Sequence, residues 1–125
     1  MKILVPVSLG ELLDKISILK IKKLNIQDKD KLKNISNELD LLTTTLENLE
    51  LKNKLDSYLD NLYKINLLLW NLEESIRLCK LNDELDIIYN SISKTIRDLN
   101  DLRSKTKRKI NLEYNSNIIE EKSFQ

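Results

Sequence analysis

Apolar residues recur along this chain at steps of three and four, the spacing that lines one face of an α-helix. The first run opens at Val7-Ser8-Leu9-Gly10-Glu11-Leu12, where three start signals coincide. Ser8 suits an N-cap, because its hydroxyl accepts a hydrogen bond from an amide left unpaired in the first turn. Glu11 stands where a capping box places a carboxylate that reaches back to the cap's amide. Val7 and Leu12 occupy the two positions of a hydrophobic staple. A helix is therefore predicted from Leu9 to about Ile26, burying Leu9, Leu12, Leu13, Ile16, Leu19 and Leu24. Ile18 and Ile21 widen its apolar arc, so it should be covered on more than one side. Upstream, Ile3, Val5 and Val7 alternate as in a short strand or extended arm, which Pro6, lacking an N–H, confines to a sheet edge.

A second helix is expected from Asp28 or Asp30, with Leu32, Ile35, Leu39, Leu42, Leu46 and Leu49 forming a heptad seam that needs a facing helix. The stripe breaks between Leu51 and Lys54, and Asn53 is the residue suited to a left-handed stop. A third helix restarts the pattern with Tyr58, Leu62, Ile65, Leu69, Leu72, Ile76 and Cys79, and Trp70 beside this seam is expected to be buried. The fourth, capped by Asn82 or Asp83, should bury Leu85, Ile88, Ile92, Leu99 and Leu102. A C-terminal arm follows from Asn115, in which Ile118 and Ile119 offer a second extended segment that would pair with the first arm. The expected fold is all-α: a four-helix antiparallel bundle of helical hairpins with short extended N- and C-terminal arms. Helices two and three are expected to face each other as a coiled-coil-like hairpin.

Composition narrows this picture. The 125 residues suit a single helical domain, residues 1–125, and with one Gly and one Pro they leave little turn chemistry for a sheet fold. A net charge of +1 provides no global field for nucleic acid or an anionic membrane. Cys79, the sole cysteine, excludes an internal disulfide and fits a reducing compartment, where it reads as a small core residue. The absence of histidine removes His-dependent triads and HExxH zinc sites. No apolar run approaches the roughly 18 residues of a membrane span, so the expected location is cytoplasmic.

Several polar stretches resemble those of a small family of bacterial proteins described as a domain of unknown function. They are Val5-Pro6-Val7-Ser8-x-Gly10-Glu11-Leu12-x-Asp14-Lys15, running on through Ile18-Leu19-x-Ile21-Lys22, and Leu69-Trp70-x-Leu72-Glu73-Glu74-x-Ile76-Arg77. Asn100-Asp101-x-Arg103, Lys107-Arg108-x-Ile110-Asn111 and Glu120-Glu121-Lys122-Ser123-Phe124 complete the resemblance. It implies a helical fold and a cytoplasmic bacterial or phage setting, and brings no activity with it.

The same stretches hold the candidate chemistry. Glu11, Asp14, Lys15 and Lys22 lie along one side of helix one, Glu73 and Arg77 are an i, i+4 pair on helix three, and Asn100, Arg103, Lys107 and Asn111 form a stripe on helix four. If the stripes converge, they make a pocket richer in donors than acceptors, suited to an anionic, phosphate-bearing small molecule. If they stay apart, they are solvated ion pairs worth about 0–1 kcal/mol each. Glu47/Glu50 and Glu11/Asp14 have the spacing of a helical nucleotide pyrophosphatase, but in reversed order. Helix one also lacks the Arg that a helical chorismate mutase would need. No catalytic residue, metal ligand or cofactor is read from the sequence. The expected function is a non-catalytic interaction or adaptor protein, partnered with another protein or a second copy through its helical seams; the alternative is an enzyme or sensor binding the anionic molecule. Nucleic-acid binding through Arg103 to Lys109 is disfavoured by the near-neutral charge.

Overall fold

Ser8 opens the first helix, as its spacing predicts. A computed structural model of the chain, describing residues 1–80 and 86–123, contains α1 (Leu9–Asn25), α2 (Lys29–Asn48), α3 (Asp56–Lys80) and α4 (Asp86–Glu113). The expected cap at Asn82 or Asp83, the expected core residue Leu85, and Phe124 of the last motif lie outside the described residues. Ser8 Oγ accepts from the Glu11 amide at 3.1 Å. The capping box does not close, because the Glu11 carboxylate pairs with Lys107 of α4; Val7, at the staple position, is exposed beside Leu12 in one cleft. A charged ammonium delivered by another helix is a stronger partner than the local amide.

α1 is the central helix, packing against α2, α3 and α4. One side of it, Leu12, Ile16 and Leu19, meets Ile35 and Leu39 of α2. The other, through Leu13, joins Leu55, Leu62 and Ile110 in a second cluster. The wide apolar arc of α1 thus takes two layers of neighbours. This corrects the expected α2–α3 coiled-coil hairpin: the α2 seam faces α1, whose arc supplies the complementary surface, while α3 pairs most extensively with α4. Leu24, expected inside, is exposed at the open end of α1.

Asp28 caps α2 by accepting from the Asp30 and Lys31 amides at 3.0 Å each. The stop after α2 falls on Glu50 (φ 57°) and not on Asn53. A 3₁₀ turn, Lys52–Leu55, then drops Leu55 into the core and leads into α3. α4 ends in a Schellman motif: Asn115 is left-handed (φ 53°), and the Ser116 amide donates to the Asn111 carbonyl at 2.8 Å.

α1 has 17 residues against 28 in α4, or about 25 Å against about 42 Å at the helical rise. It is too short to cover the whole α3–α4 hairpin. Accordingly Leu78, Ile87 and Ile88 towards the hairpin's tip are exposed, and Trp70 and Cys79 are only half-buried, not core residues as expected. Leu102, also expected inside, is exposed on the outer face of α4.

The two arms do not pair, and no strand occurs among the described residues. Residues 1–7 are extended and exposed, with Ile3 and Leu4 beside Leu41 of α2. The C-terminal arm folds back along α4, where Glu121 pairs with Arg108 and Lys122 with Asp101. An isolated two-stranded ribbon is marginal in water, whereas these charged side chains find partners on a preformed helix.

Candidate functional site

Asp14 sits one turn into α1, on the side that α3 and α4 cover, and is 1% exposed. Arg103 of α4 grips it through both oxygens, with Nε donating to Oδ1 at 2.8 Å and Nη2 to Oδ2 at 2.5 Å. Asn66 of α3 donates through Nδ2 to Asp14 Oδ1 at 2.9 Å and to Ser17 Oγ at 2.7 Å. Ser17 in turn donates to the Asp14 carbonyl at 2.7 Å. One carboxylate therefore ties three helices together. Burial on its own would raise the Asp14 pKa. The hydrogen bonds from Arg103 and Asn66, with the charges of Arg103 and Lys107, outweigh it and hold the carboxyl below its ordinary range. The same bond to Asp14 raises the Arg103 pKa.

Lys107, one turn further along α4, donates to Glu11 Oε2 at 2.6 Å and lies 3.8 Å from Asp14 Oδ2. Asn100 accepts from Arg103 Nη1 at 3.4 Å. Beyond Lys107 the contact continues to the start of α1. Asn111, fully buried, accepts from the Gly10 amide through Oδ1 at 2.7 Å and donates to Glu120 Oε2 at 3.3 Å. Ser116 Oγ accepts from the Leu9 amide at 3.3 Å, and Ser8 Oγ donates to Glu120. The amides of Leu9, Gly10 and Glu11, which a helix start leaves unpaired, all have partners within the chain. Gly10 permits this approach: a Cβ there would stand 2.5 Å from the Lys107 carbonyl oxygen.

Of the nine residues expected to form the site, Glu11, Asp14, Asn100, Arg103 and Lys107 come together. Lys15 is exposed and Lys22 half-buried, and neither bonds to the cluster. On α3 the expectation of a Glu73–Arg77 pair is replaced by Arg77 with Glu74 at 2.9 Å, both more than half exposed. Arg77 lies three turns beyond Asn66, on the order of 16 Å along the helix, so α3 contributes an amide here and not a guanidinium. The excess of donors expected in a converged pocket is absent as well, since Asp14 engages Arg103, Glu11 engages Lys107 and Glu120 adds a third carboxylate.

The whole chain also carries the signature of a described family, "Family of unknown function (DUF6165)", matched over residues 1–125. The chain belongs to that family. No curated protein and no solved structure matches it. Within this family member, the stretches Gly10-Glu11-Leu12-x-Asp14 and Asn100-Asp101-x-Arg103 through Lys107 to Asn111 are the two sides of one α1–α4 contact.

Chemically the arrangement holds helices in register. Asp14 is an ionised carboxylate with both oxygens engaged, a poor general base. Among the described residues no group of three or more His, Cys, Asp or Glu gathers as a metal site, and no helix is long and apolar enough to cross a membrane. Reading the sequence missed Ser17, Asn66, Gly10 and Glu120 as parts of this cluster. The available signal for the first two was an uncharged polar side chain inside an apolar arc, between Ile16 and Ile18 and between Ile65 and Leu67.

Proposed function

We propose that this chain is a non-catalytic adaptor that acts in the cytoplasm, its helical frame presenting an apolar N-terminal arm to a partner protein. One observation carries the reading: Ile3, Leu4 and Val5 are 73%, 83% and 67% exposed on an extended segment. None of the described hydrogen bonds engages the backbone of residues 1–7, so the donors and acceptors of the arm are open along with its apolar side chains. Such a segment suits addition to the sheet edge of another protein, apart from Pro6, which donates nothing. At its base a cleft of about 390 Å³ between α1, the end of α2 and Tyr114 is lined by Val7, Leu9, Leu12, Leu49 and Leu51, giving a partner an apolar anchor point. Among the described residues every buried polar side chain is hydrogen-bonded, and such a frame is rigid support for that arm.

The alternative, an anionic small molecule held between α1, α3 and α4, has in its favour that Arg103 and Lys107 remain 28% and 18% exposed. Against it, the anion would have to displace Asp14 or Glu11. The experiment that separates the readings is photo-crosslinking in cells from position 4, with position 33 on α2 as control. A discrete adduct from position 4 alone supports the adaptor. No adduct, together with a raised melting temperature in phosphate-bearing metabolites, supports the ligand reading.

A further inference from the structure

Three of the cations of α4 that the cluster does not use gather near its C-terminal end. Lys105, Arg108 and Lys109, with Tyr58 of α3, Leu112 and Glu113, line a groove of about 670 Å³. Leu112 is 52% exposed and Leu102, one turn before Lys105, is 49% exposed, so apolar side chains bracket the charges. Among the described residues Lys105 and Lys109 make no ion pair, whereas Arg108 is held by Glu121 of the C-terminal arm. That arm is an extended acidic stretch, Glu120-Glu121, lying on the helix that carries these cations.

We propose that this groove is a docking site for an acidic, extended segment of a partner protein with an apolar anchor, and that Glu121 holds part of the site until the segment arrives. Charge complementarity favours this occupant, with the chain's own acidic stretch already seated on Arg108 as an example of what the surface accepts. The two unpaired lysines would take carboxylates, and Leu102 and Leu112 the apolar anchor. A nucleic-acid backbone fits less well, because Glu113 stands in the groove wall, Glu121 beside it, and a net charge of +1 gives no long-range attraction. A flat anionic bilayer would meet the same carboxylates, which repel it. The site is separate from the N-terminal arm, so it stands or falls independently of the function proposed above.

The test is fluorescence anisotropy of the full chain with a labelled synthetic peptide of glutamates around a central leucine pair. Parallel titrations use a single-stranded oligonucleotide and phosphatidylglycerol vesicles. Binding of the peptide should weaken about tenfold in the double variant Lys105→Ala/Lys109→Ala, two rim charges at a few-fold each. It should tighten about threefold in Glu121→Gln, which releases Arg108. All three positions are exposed, and circular dichroism would confirm that each variant folds. The proposal is overturned by absence of peptide binding, by affinity unchanged in the double lysine variant, or by tighter binding of the oligonucleotide or the vesicles. Self-association in light scattering that the lysine substitutions abolish would also overturn it, by making a second copy the occupant.

Discussion

Asp14 shows how a single side chain sets the response of the protein to acid. Its carboxyl titrates below the ordinary value of about 3.9 in the folded state. The stability it contributes is therefore complete above about pH 4 and is lost as pH falls through the folded pKa. Thermal melts from neutral pH down to pH 2 should show a steep acid limb that is shallower in Asp14→Asn, where there is no carboxylate to protonate. Ser8 is the second informative residue, since it caps α1 and also bonds to Glu120 of the C-terminal arm. Ser8→Ala should cost about 2 kcal/mol in urea denaturation, the upper part of the range for a lost N-cap, because two contacts disappear together. Ser8→Asn, which keeps a cap acceptor, should recover most of it.

At the level of helices, the contact to probe is the one between the start of α1 and the end of α4. Gly10→Ala places a methyl group against the Lys107 backbone, and a helix carbonyl cannot rotate away as a side chain can. The two helices must part, which should cost about 1–3 kcal/mol and loosen the Asn111 and Glu120 bonds with it. Faster amide exchange at Glu11, in the same first turn, relative to Leu39 in the α2 layer would report this. Helix existence was legible in the sequence because Leu and Ile recur at helical spacing, and Ser8 and Asp28 mark their starts by local chemistry. Partner choice was not legible: the α2 seam reads the same whether it faces α1 or α3, and only the breadth of the α1 arc hinted at the answer. The α1–α4 half of the candidate site could be read from charge stripes at helical spacing. Asn66 showed only as an amide interrupting an apolar arc, a signal that gains meaning once Asp14 is opposite it, and Arg77 misled because the i, i+4 spacing from Glu73 is the same on a solvated face as at a site.

Across the described residues, a few polar groups are buried where the helices meet, while a set of apolar side chains is left uncovered. Asp14 joins α1 to Asn66 of α3 and Arg103 of α4, while the N-terminal arm and the hairpin tip leave leucines and isoleucines uncovered. The adaptor proposal rests on that division, and Arg103 is the residue that tests it. If Arg103 serves to neutralise Asp14, its loss strands a buried carboxylate, a change that costs about 3 kcal/mol even allowing for partial exposure of the guanidinium. Lysine should not substitute, because one ammonium cannot span both oxygens. If Arg103 serves a ligand instead, its loss should leave the unliganded fold nearly as stable as before. The deciding measurement is the melting temperature of Arg103→Ala against wild type in the absence of any added ligand. A fall of about 10 °C is expected. A melting temperature matching wild type, with loss of a stabilisation that phosphate-bearing compounds confer on wild type, would contradict it.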